Sequence, residues 1–420
     1  MSRLVIREGP PLRGKVRVSG AKNSVLPIMA ASILSSEQCT IGDIPYLMDV
    51  KIMCALLRSL GMNVNLKKKE NILIIRAGEI TNTTAPYELV SKMRASFLIM
   101  GPLLAKTGKA KVPLPGGCAI GTRPVDLHLK GFAALGAEIV QGHGYVEATA
   151  KNGLKGEYIY LDFPSVGATE NIMMAAVLAD GQTIIENAAS EPEIVDLATY
   201  LISMGADIKG AGTDTIRING VKNLDKKVHH VVIPDRIEAG TLMEACAITG
   251  GDVLIENVVP DHLKPITAKL REAGVEISEE LTSIRVKAGD RLKAIDIKTH
   301  PYPGFPTDMQ AQTTALMSKA QGTSMVVETV FENRFMYVGE LNRMGANIKI
   351  DGRSAIIEGG NKLMGAKVKA TDLRAGAALV LAGLAADGIT EISDVEHIDR
   401  GYVKIDEKLK SLGANIERLD

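Results

Sequence analysis

Six near-copies of one pattern run through this chain, and a repeat of that kind governs what the single elements inside it can mean. The pattern is a helix that ends in an apolar-Gly-apolar step, followed by a short alternating stretch. Its glycines are Gly61, Gly136, Gly205, Gly274, Gly345 and Gly413, lying 75, 69, 69, 71 and 68 residues apart. A glycine just past a helix supplies the left-handed residue that closes it, and stretches such as NIKI and NIERL then alternate as strands. Before the first glycine, Val50, Met53, Cys54 and Leu57 fall at i, i+3, i+4 and i+7, the packed face of an amphipathic helix.

Each repeat holds a second helix that is apolar nearly all round, in segments beginning at Lys22, Arg94, Gly167, Arg236, Thr307 and Asp372. Helices of that composition are buried on every side, so three per half predict a helical interior with sheets packed outside it. Six such βα units make an α/β fold. With 420 residues, 46 % of them hydrophobic, the chain exceeds the size at which one core keeps growing, and two domains are expected. The half-way point falls near Val231 to Arg236, and no Ser-rich or Pro-rich linker interrupts the chain.

Polar side chains of the apolar helices gather at their N-terminal ends, where free N–H groups and partial positive charge suit an anion. For any one helix, N-capping explains an Asp, Asn, Ser or Thr there. It does not explain Lys22, Arg94, Arg236 and Arg374, because a cation at a helix start opposes the dipole. Anion binding is therefore expected locally. The balance of 49 Lys plus Arg against 49 Asp plus Glu excludes the broad basic footprint of a nucleic-acid or membrane-surface binder. The longest apolar run, Ala375 to Ala386, falls short of the roughly 18 residues of a membrane span, and MSRLVIREG has no signal-peptide core, so a cytoplasmic protein is expected.

Residues 114–128, LPGGCAIGTRPVDLH, form the most unusual stretch. Gly116, Gly117 and Gly121 around Cys118 permit movement and close approach, and Lys111 and Arg123 favour the thiolate. Cys39, Cys54 and Cys246 sit in apolar contexts and read as core; the four cysteines make neither a disulfide framework nor a CxxC zinc pair. His128 is a candidate partner for Cys118 but reads as a surface or packing histidine, and it is left out of the chemistry. In PGFPTDMQAQ, Thr307 and Asp308 start an apolar helix, where Asp308 is either a cap or, beside cations in a cleft, a base. GxSxG, HExxH and GxxxxGK[ST] are absent, which removes the sequence basis for hydrolase, zinc-protease and P-loop readings.

Six segments then occur in order along the chain: AKN at Ala21, GGCAIGTRPVDLH at Gly116, SVGATEN at Ser165, FPTDMQAQ at Phe305, DLRAGAALV at Asp372 and DRGY at Asp399. In these the chain resembles the enolpyruvyl transferases, and among them the branch with a UDP-sugar acceptor. The resemblance implies an inside-out α/β barrel of two similar domains, each of three βαβαββ units. Their bounds would be 22–233, carrying the cysteine loop, and 1–21 with 234–420, with the active site in the cleft between them. It implies transfer of the enolpyruvyl group of phosphoenolpyruvate to the 3-hydroxyl of UDP-N-acetylglucosamine, the first committed step of peptidoglycan precursor synthesis, by a monomer needing no cofactor and no metal.

By the same resemblance Lys22, Arg123 and Arg400 hold the phosphoenolpyruvate phosphate and carboxylate, supported by Arg94, Arg334 and Arg374. Asn23, Thr307 and Asp308 meet the amino sugar, Ser165, Val166 and Gly167 the diphosphate, and Arg123, Pro124, Val125, Asp126 and Leu127 the uracil. Arg94 and Val330 complete the sugar-nucleotide set. The catalytic set is Cys118 as proton donor to C3, Asp308 as base toward the 3-hydroxyl, Lys22 and Arg400. Two rival readings stand beside this one. A related transferase acts on shikimate 3-phosphate, against which the GGC loop and SVGATEN helix argue, and a non-catalytic repeat scaffold or nucleotide-sugar sensor needs no reactive thiol.

Overall fold

The computed structural model describes residues 2–419 apart from 77, 115–119, 122–124, 143 and 290. They divide into two compact units. One holds the described residues of 20–118 and 122–233, the other those of 1–19, 119–121 and 234–420.

All six repeat glycines take the left-handed φ that closes a helix: 102°, 91°, 116°, 94°, 90° and 100° from Gly61 to Gly413. Around each, two backbone bonds cap the helix. Gly205 N–H donates to the Ile202 carbonyl at 2.9 Å and Ala206 N–H to the Leu201 carbonyl at 3.1 Å, and the other five repeats form the same pair. The residue after each glycine and the apolar residue five positions back are both buried, as Met62 and Leu57 or Val275 and Leu270. Residue choice, backbone geometry and burial thus agree at every repeat.

The apolar helices are α1 (Lys22–Ala31), α2 (Met100–Thr107) and α3 (Val166–Ala176) in the first unit, and α4 (Arg236–Thr249), α5 (Gln310–Lys319) and α6 (Leu373–Leu384) in the second. Within each unit they pack on one another, and the sheets lie outside them. Between α2 and α3 the backbones come very close. Gly101 N–H donates to Asn171 Oδ1 at 2.7 Å, and a Cβ on Gly101 would stand 2.2 Å from the Asn171 carbonyl oxygen, so only glycine lets the two backbones meet.

The sheets share one plan. In the third repeat, entry strand Tyr158–Tyr160 runs parallel to Gln182–Glu186, which pairs antiparallel with Thr215–Asn219, which pairs antiparallel with Asp207–Lys209. Each unit is closed by strands from its chain ends. Val228–Val231 is the entry strand beside Gln38–Gly42 in the first unit. In the second, Arg13–Arg17 enters beside Asp252–Glu256, and Arg3–Arg7 sits between Ile389–Ser393 and Ile416–Leu419.

The middle repeat of each unit departs from the plan in the same three ways. Its entry strand shrinks, to a single bridge between Thr84 and Lys111 in one unit and to Ile297–Lys298 in the other. Its inner helix begins as a 3-10 segment, Arg94–Ile99 before α2 and Thr307–Met309 before α5, so the continuous helix expected from Arg94 is in two pieces. In the other four repeats the strand after the inner helix ends on a left-handed Asp or Asn: Asp43, Asn187, Asn257 and Asp394, with φ of 54°, 53°, 60° and 55°. At the same place the middle repeats have Leu114 and Glu328.

Candidate active site

In the second unit the 3-10 segment Thr307–Met309 turns Asp308 away from a capping role. No side chain caps this segment; the Asp308 carboxylate is taken by two arginines, Oδ1 by Arg334 Nη2 at 2.8 Å and Oδ2 by Arg374 Nη2 at 2.9 Å. True caps sit elsewhere, as at Asp372, whose Oδ1 accepts from the Arg374 and Ala375 N–H groups at 2.8 and 3.0 Å. Both guanidiniums are buried, each beside an aromatic ring: Arg334 with Phe331 at 5.3 Å and Arg374 with Tyr402 at 5.4 Å. Burial by itself raises the Asp308 carboxyl, but the charges of Arg374 and Arg334 and their hydrogen bonds outweigh it and hold the carboxyl well below the ordinary range.

The arginines keep donors to spare. Arg374 Nε and Nη1 and Arg334 Nε are buried and have no hydrogen-bond partner among the described residues. A buried guanidinium N–H without an acceptor is costly, and the free donors of this cluster can serve an anion with several oxygens. Tyr402 holds the cluster from below: its hydroxyl meets Thr241 Oγ1 at 3.0 Å and receives Gln312 Nε2 at 3.1 Å, while that amide also donates to the Asp308 carbonyl at 2.9 Å.

The first unit presents a different set. Ser165 caps α3, its hydroxyl accepting the Ala168 N–H at 3.4 Å, and Val166 and Gly167 follow as the half-buried first turn. His128 stands against that turn: a Cβ on Gly167 would lie 3.3 Å from His128 Cε1 and 3.5 Å from Nε2. Asn171 Oδ1 accepts from Gly101, so its Nδ2 donates to the Phe97 carbonyl at 3.0 Å and approaches His128 Nδ1 at 3.1 Å. His128 is therefore the Nε2–H tautomer, and burial, then the Arg94 charge, push its pKa down to about 3. A neutral N–H beside a helix start donates to an anion without carrying charge. At the start of α1, Lys22 is buried and its Nζ lies 2.9 Å from Asp49, while Asn23 is exposed.

These two clusters, one of guanidiniums and one at a helix start, are what a phosphate-handling enzyme needs, and comparison with known proteins fixes which kind. The family model described as EPSP synthase (3-phosphoshikimate 1-carboxyvinyltransferase) matches residues 6–409. The chain belongs to this enolpyruvyl transferase family. A UDP-N-acetylglucosamine 1-carboxyvinyltransferase 1 from Caldanaerobacter subterraneus subsp. tengcongensis is 65 % identical over 417 residues, covering 99 % of each chain. A UDP-N-acetylglucosamine 1-carboxyvinyltransferase 2 from Carboxydothermus hydrogenoformans is 61 % identical over 421 residues, the whole of both. The crystal structure of the enolpyruvyl transferase NikO from Streptomyces tendae matches with a TM-score of 0.90 at 25 % identity, covering 99 % of this chain and 98 % of that one.

In this enolpyruvyl transferase each unit is an inside-out α/β barrel, its three repeats laid around buried helices. The structure brings Thr307, Asp308, Arg334 and Arg374 together in direct contact. Arg400 closes the short helix Glu396–Asp399, and the carboxylate of the preceding residue, Asp399, is gripped by Arg418 at 2.9 and 2.8 Å. Arg94 opens its 3-10 segment, and Val125 precedes the helix Asp126–Ala134 on which Asp126 and Leu127 lie. Arg236, grouped with these cations by its position at a helix start, has its guanidinium 5.6 Å from the Tyr302 ring centre. Cys118, Arg123 and Pro124 lie outside the described residues.

Asp49 and His128 in the first unit, and Tyr402 and Glu328 in the second, each touch a candidate site residue of their own unit, and of the four only His128 was weighed individually from the sequence. His128 had a signal, a polar residue inside the GGCAIGTRPVDLH segment, and so had Tyr402, the last residue of DRGY; Asp49 and Glu328 look like ordinary helix and loop residues until the fold assembles them. Among the described residues, no group of three or more His, Cys, Asp or Glu side chains is arranged to hold a metal ion, and no helix is long and apolar enough to cross a membrane.

Proposed function

We propose that this enolpyruvyl transferase moves the enolpyruvyl group of phosphoenolpyruvate to the 3-hydroxyl of UDP-N-acetylglucosamine and releases phosphate, the first committed step of peptidoglycan precursor synthesis. It acts in the cytoplasm, as a monomer and without metal or cofactor. Relatives 65 % and 61 % identical over essentially their full length are named UDP-N-acetylglucosamine 1-carboxyvinyltransferase, which supports the transfer. The observation that carries the chemistry is the Asp308 carboxylate between two buried guanidiniums whose remaining donors await an anion.

In this reading the Cys118 thiol protonates C3 of phosphoenolpyruvate as the C2–C3 double bond gives up its pair. The sugar 3-hydroxyl oxygen then bonds to C2, and its proton passes to Asp308. In the tetrahedral intermediate the C2–O bond to phosphate breaks with its pair going to the phosphate, which also carries off the proton held by Asp308, while C3 returns a proton to the Cys118 thiolate and the enol ether forms. Lys22, Arg123 and Arg400, with Arg94, Arg334 and Arg374, hold the phosphate and carboxylate, and their fixed charges stabilise the developing anion. Asn23, Thr307 and Val330 orient the amino sugar, the α3 start at Ser165, Val166 and Gly167 takes the diphosphate, and residues 123–127 flank the uracil.

The resting state of Asp308 makes it a weak base, and substrate corrects this. A phosphate and a carboxylate arriving at Arg374 and Arg334 draw their donors away and add like charge, so the Asp308 carboxyl rises only when phosphoenolpyruvate is bound. The base is thereby armed at the moment its partner is present. Incubation with both substrates, followed by mass and proton spectra of the products, tests the assignment: the UDP-sugar must gain one carboxyvinyl group on its 3-oxygen with one equivalent of phosphate released. An unchanged sugar nucleotide sinks it.

A further inference from the structure

Glu328 occupies the place where four other repeats end the strand on a left-handed Asp or Asn. In the third and fourth repeats that residue ties down the end of the entry strand, Asn187 Nδ2 donating to the Leu161 carbonyl at 2.7 Å and Asn257 Nδ2 to the Val18 carbonyl at 2.8 Å. Glu328 also holds the residue that follows its own entry strand, but as an acceptor from the Thr299 hydroxyl, and its longer side chain reaches further. Oε1 accepts from the Thr299 hydroxyl at 3.0 Å and from the Val330 and Phe331 N–H groups at 2.8 and 3.1 Å, and Oε2 from the Thr307 hydroxyl at 2.8 Å. The residue is 1 % exposed.

Every one of these partners is a donor. The Thr299 oxygen already accepts the Thr329 N–H at 2.9 Å, and the Thr307 oxygen already accepts Arg334 Nη1 at 3.1 Å, so both hydroxyl protons are directed at Glu328. Only an acceptor with two oxygens satisfies all four. The carboxylate therefore joins three things in one contact: the Thr307–Asp308 turn, the Val330 loop, and, through Thr307, the Arg334 guanidinium that grips Asp308.

We infer that Glu328 is a positioning residue for the transfer step, setting Thr307, Arg334 and hence Asp308 in register with the Val330 loop. The inference rests on the functional reading above. It touches no substrate itself. Where the other repeats have a left-handed Asp or Asn, this middle repeat has a residue one methylene longer, which makes a strand clasp into a brace for the site.

Glu328→Gln is the test, because an amide of the same shape must turn an NH2 toward one of the four donors. The least disruptive orientation keeps the oxygen on Val330 and Phe331 and sets the NH2 against Thr307. In the full-length enzyme the variant should hold its melting temperature to within a few degrees and lose about tenfold to a hundredfold in kcat/KM, chiefly through kcat. Thr307→Val should lose a similar factor, and the double variant no more than the worse single one, because the residues act as a unit. Glu328→Gln within twofold of wild type overturns the inference, as do losses that multiply in the double variant or a fall in folded fraction with unchanged turnover per folded molecule. If glutamine is not tolerated, Thr299→Val and Thr307→Val are compared in the same way, since Glu328 connects them. A wild-type enzyme inactive with UDP-N-acetylglucosamine would defeat the functional reading alone. The positioning role is then judged from a crystal structure of Glu328→Gln, where an undisturbed Thr307 to Arg334 contact overturns it.

Discussion

Replacing Glu244 by glutamine should flatten the pH dependence of stability of the unit that contains it. Glu244 lies on α4 and is 1 % exposed. Its Oε1 accepts the Thr313 hydroxyl of α5 at 2.6 Å, and Oε2 has no partner among the described residues. Burial outweighs that hydrogen bond and pushes the carboxyl from 4.5 up to about 8. The folded protein thus keeps this group protonated through neutrality while the unfolded chain does not. Between roughly pH 5 and 8 unfolding releases a proton, so stability falls as pH rises, by up to about 1.4 kcal/mol per unit and about 4 kcal/mol across the range. Glutamine keeps an acceptor for Thr313 and cannot ionise. Urea midpoints of the two proteins should nearly coincide at pH 5 and separate in favour of Glu244→Gln as the pH reaches 8. Parallel profiles from pH 5 to 8 would refute the buried, neutral carboxyl.

Gly274→Ala should cost about 1 to 2 kcal/mol, read as a lowered unfolding midpoint, because the position is left-handed at φ 94° while an added Cβ meets nothing within 4 Å. A thiol reagent at neutral pH should modify Cys118 and spare Cys39, Cys54 and Cys246, which are buried and whose pKa values burial raises, Cys54 to about 11 and Cys246 to about 12; peptide mapping checks this. Cys118→Ser should remove most turnover yet leave sugar-nucleotide binding, measured by calorimetry, nearly intact. Arg374→Gln should weaken phosphoenolpyruvate binding about tenfold or more and, by removing a charge that depresses Asp308, raise that carboxyl, so the acid limb of the pH–rate profile moves to higher pH. An acid limb that stays in place would separate Asp308 from the base.

Local rules carried much of the fold because the repeat states them six times over. A glycine with apolar flanks encodes its own helix stop, and a helix apolar on every face can lie only inside, so both features were legible without partners. Strand exchange was not: nothing in VHHV says that Val228–Val231 pairs beside Gln38–Gly42, since such pairing depends on where a distant strand edge stands open. At helix starts the same residue types split by environment. Ser165, Asp235 and Asp372 are caps, whereas Asp308 is not, because its helix opens as a 3-10 turn and two arginines from other elements outcompete the backbone for its oxygens. Arg374 was legible as a cation at a helix start, whereas Arg334 was legible only through the resemblance to a family. Glu328 had no signal at all, for a glutamate after a strand reads as a loop residue until its four donors are seen around it.

Phosphate release measured side by side with two acceptors tests the account most directly. Given phosphoenolpyruvate, the enzyme should liberate phosphate with UDP-N-acetylglucosamine and show no stimulation by shikimate 3-phosphate. Stimulation by shikimate 3-phosphate alone would contradict it.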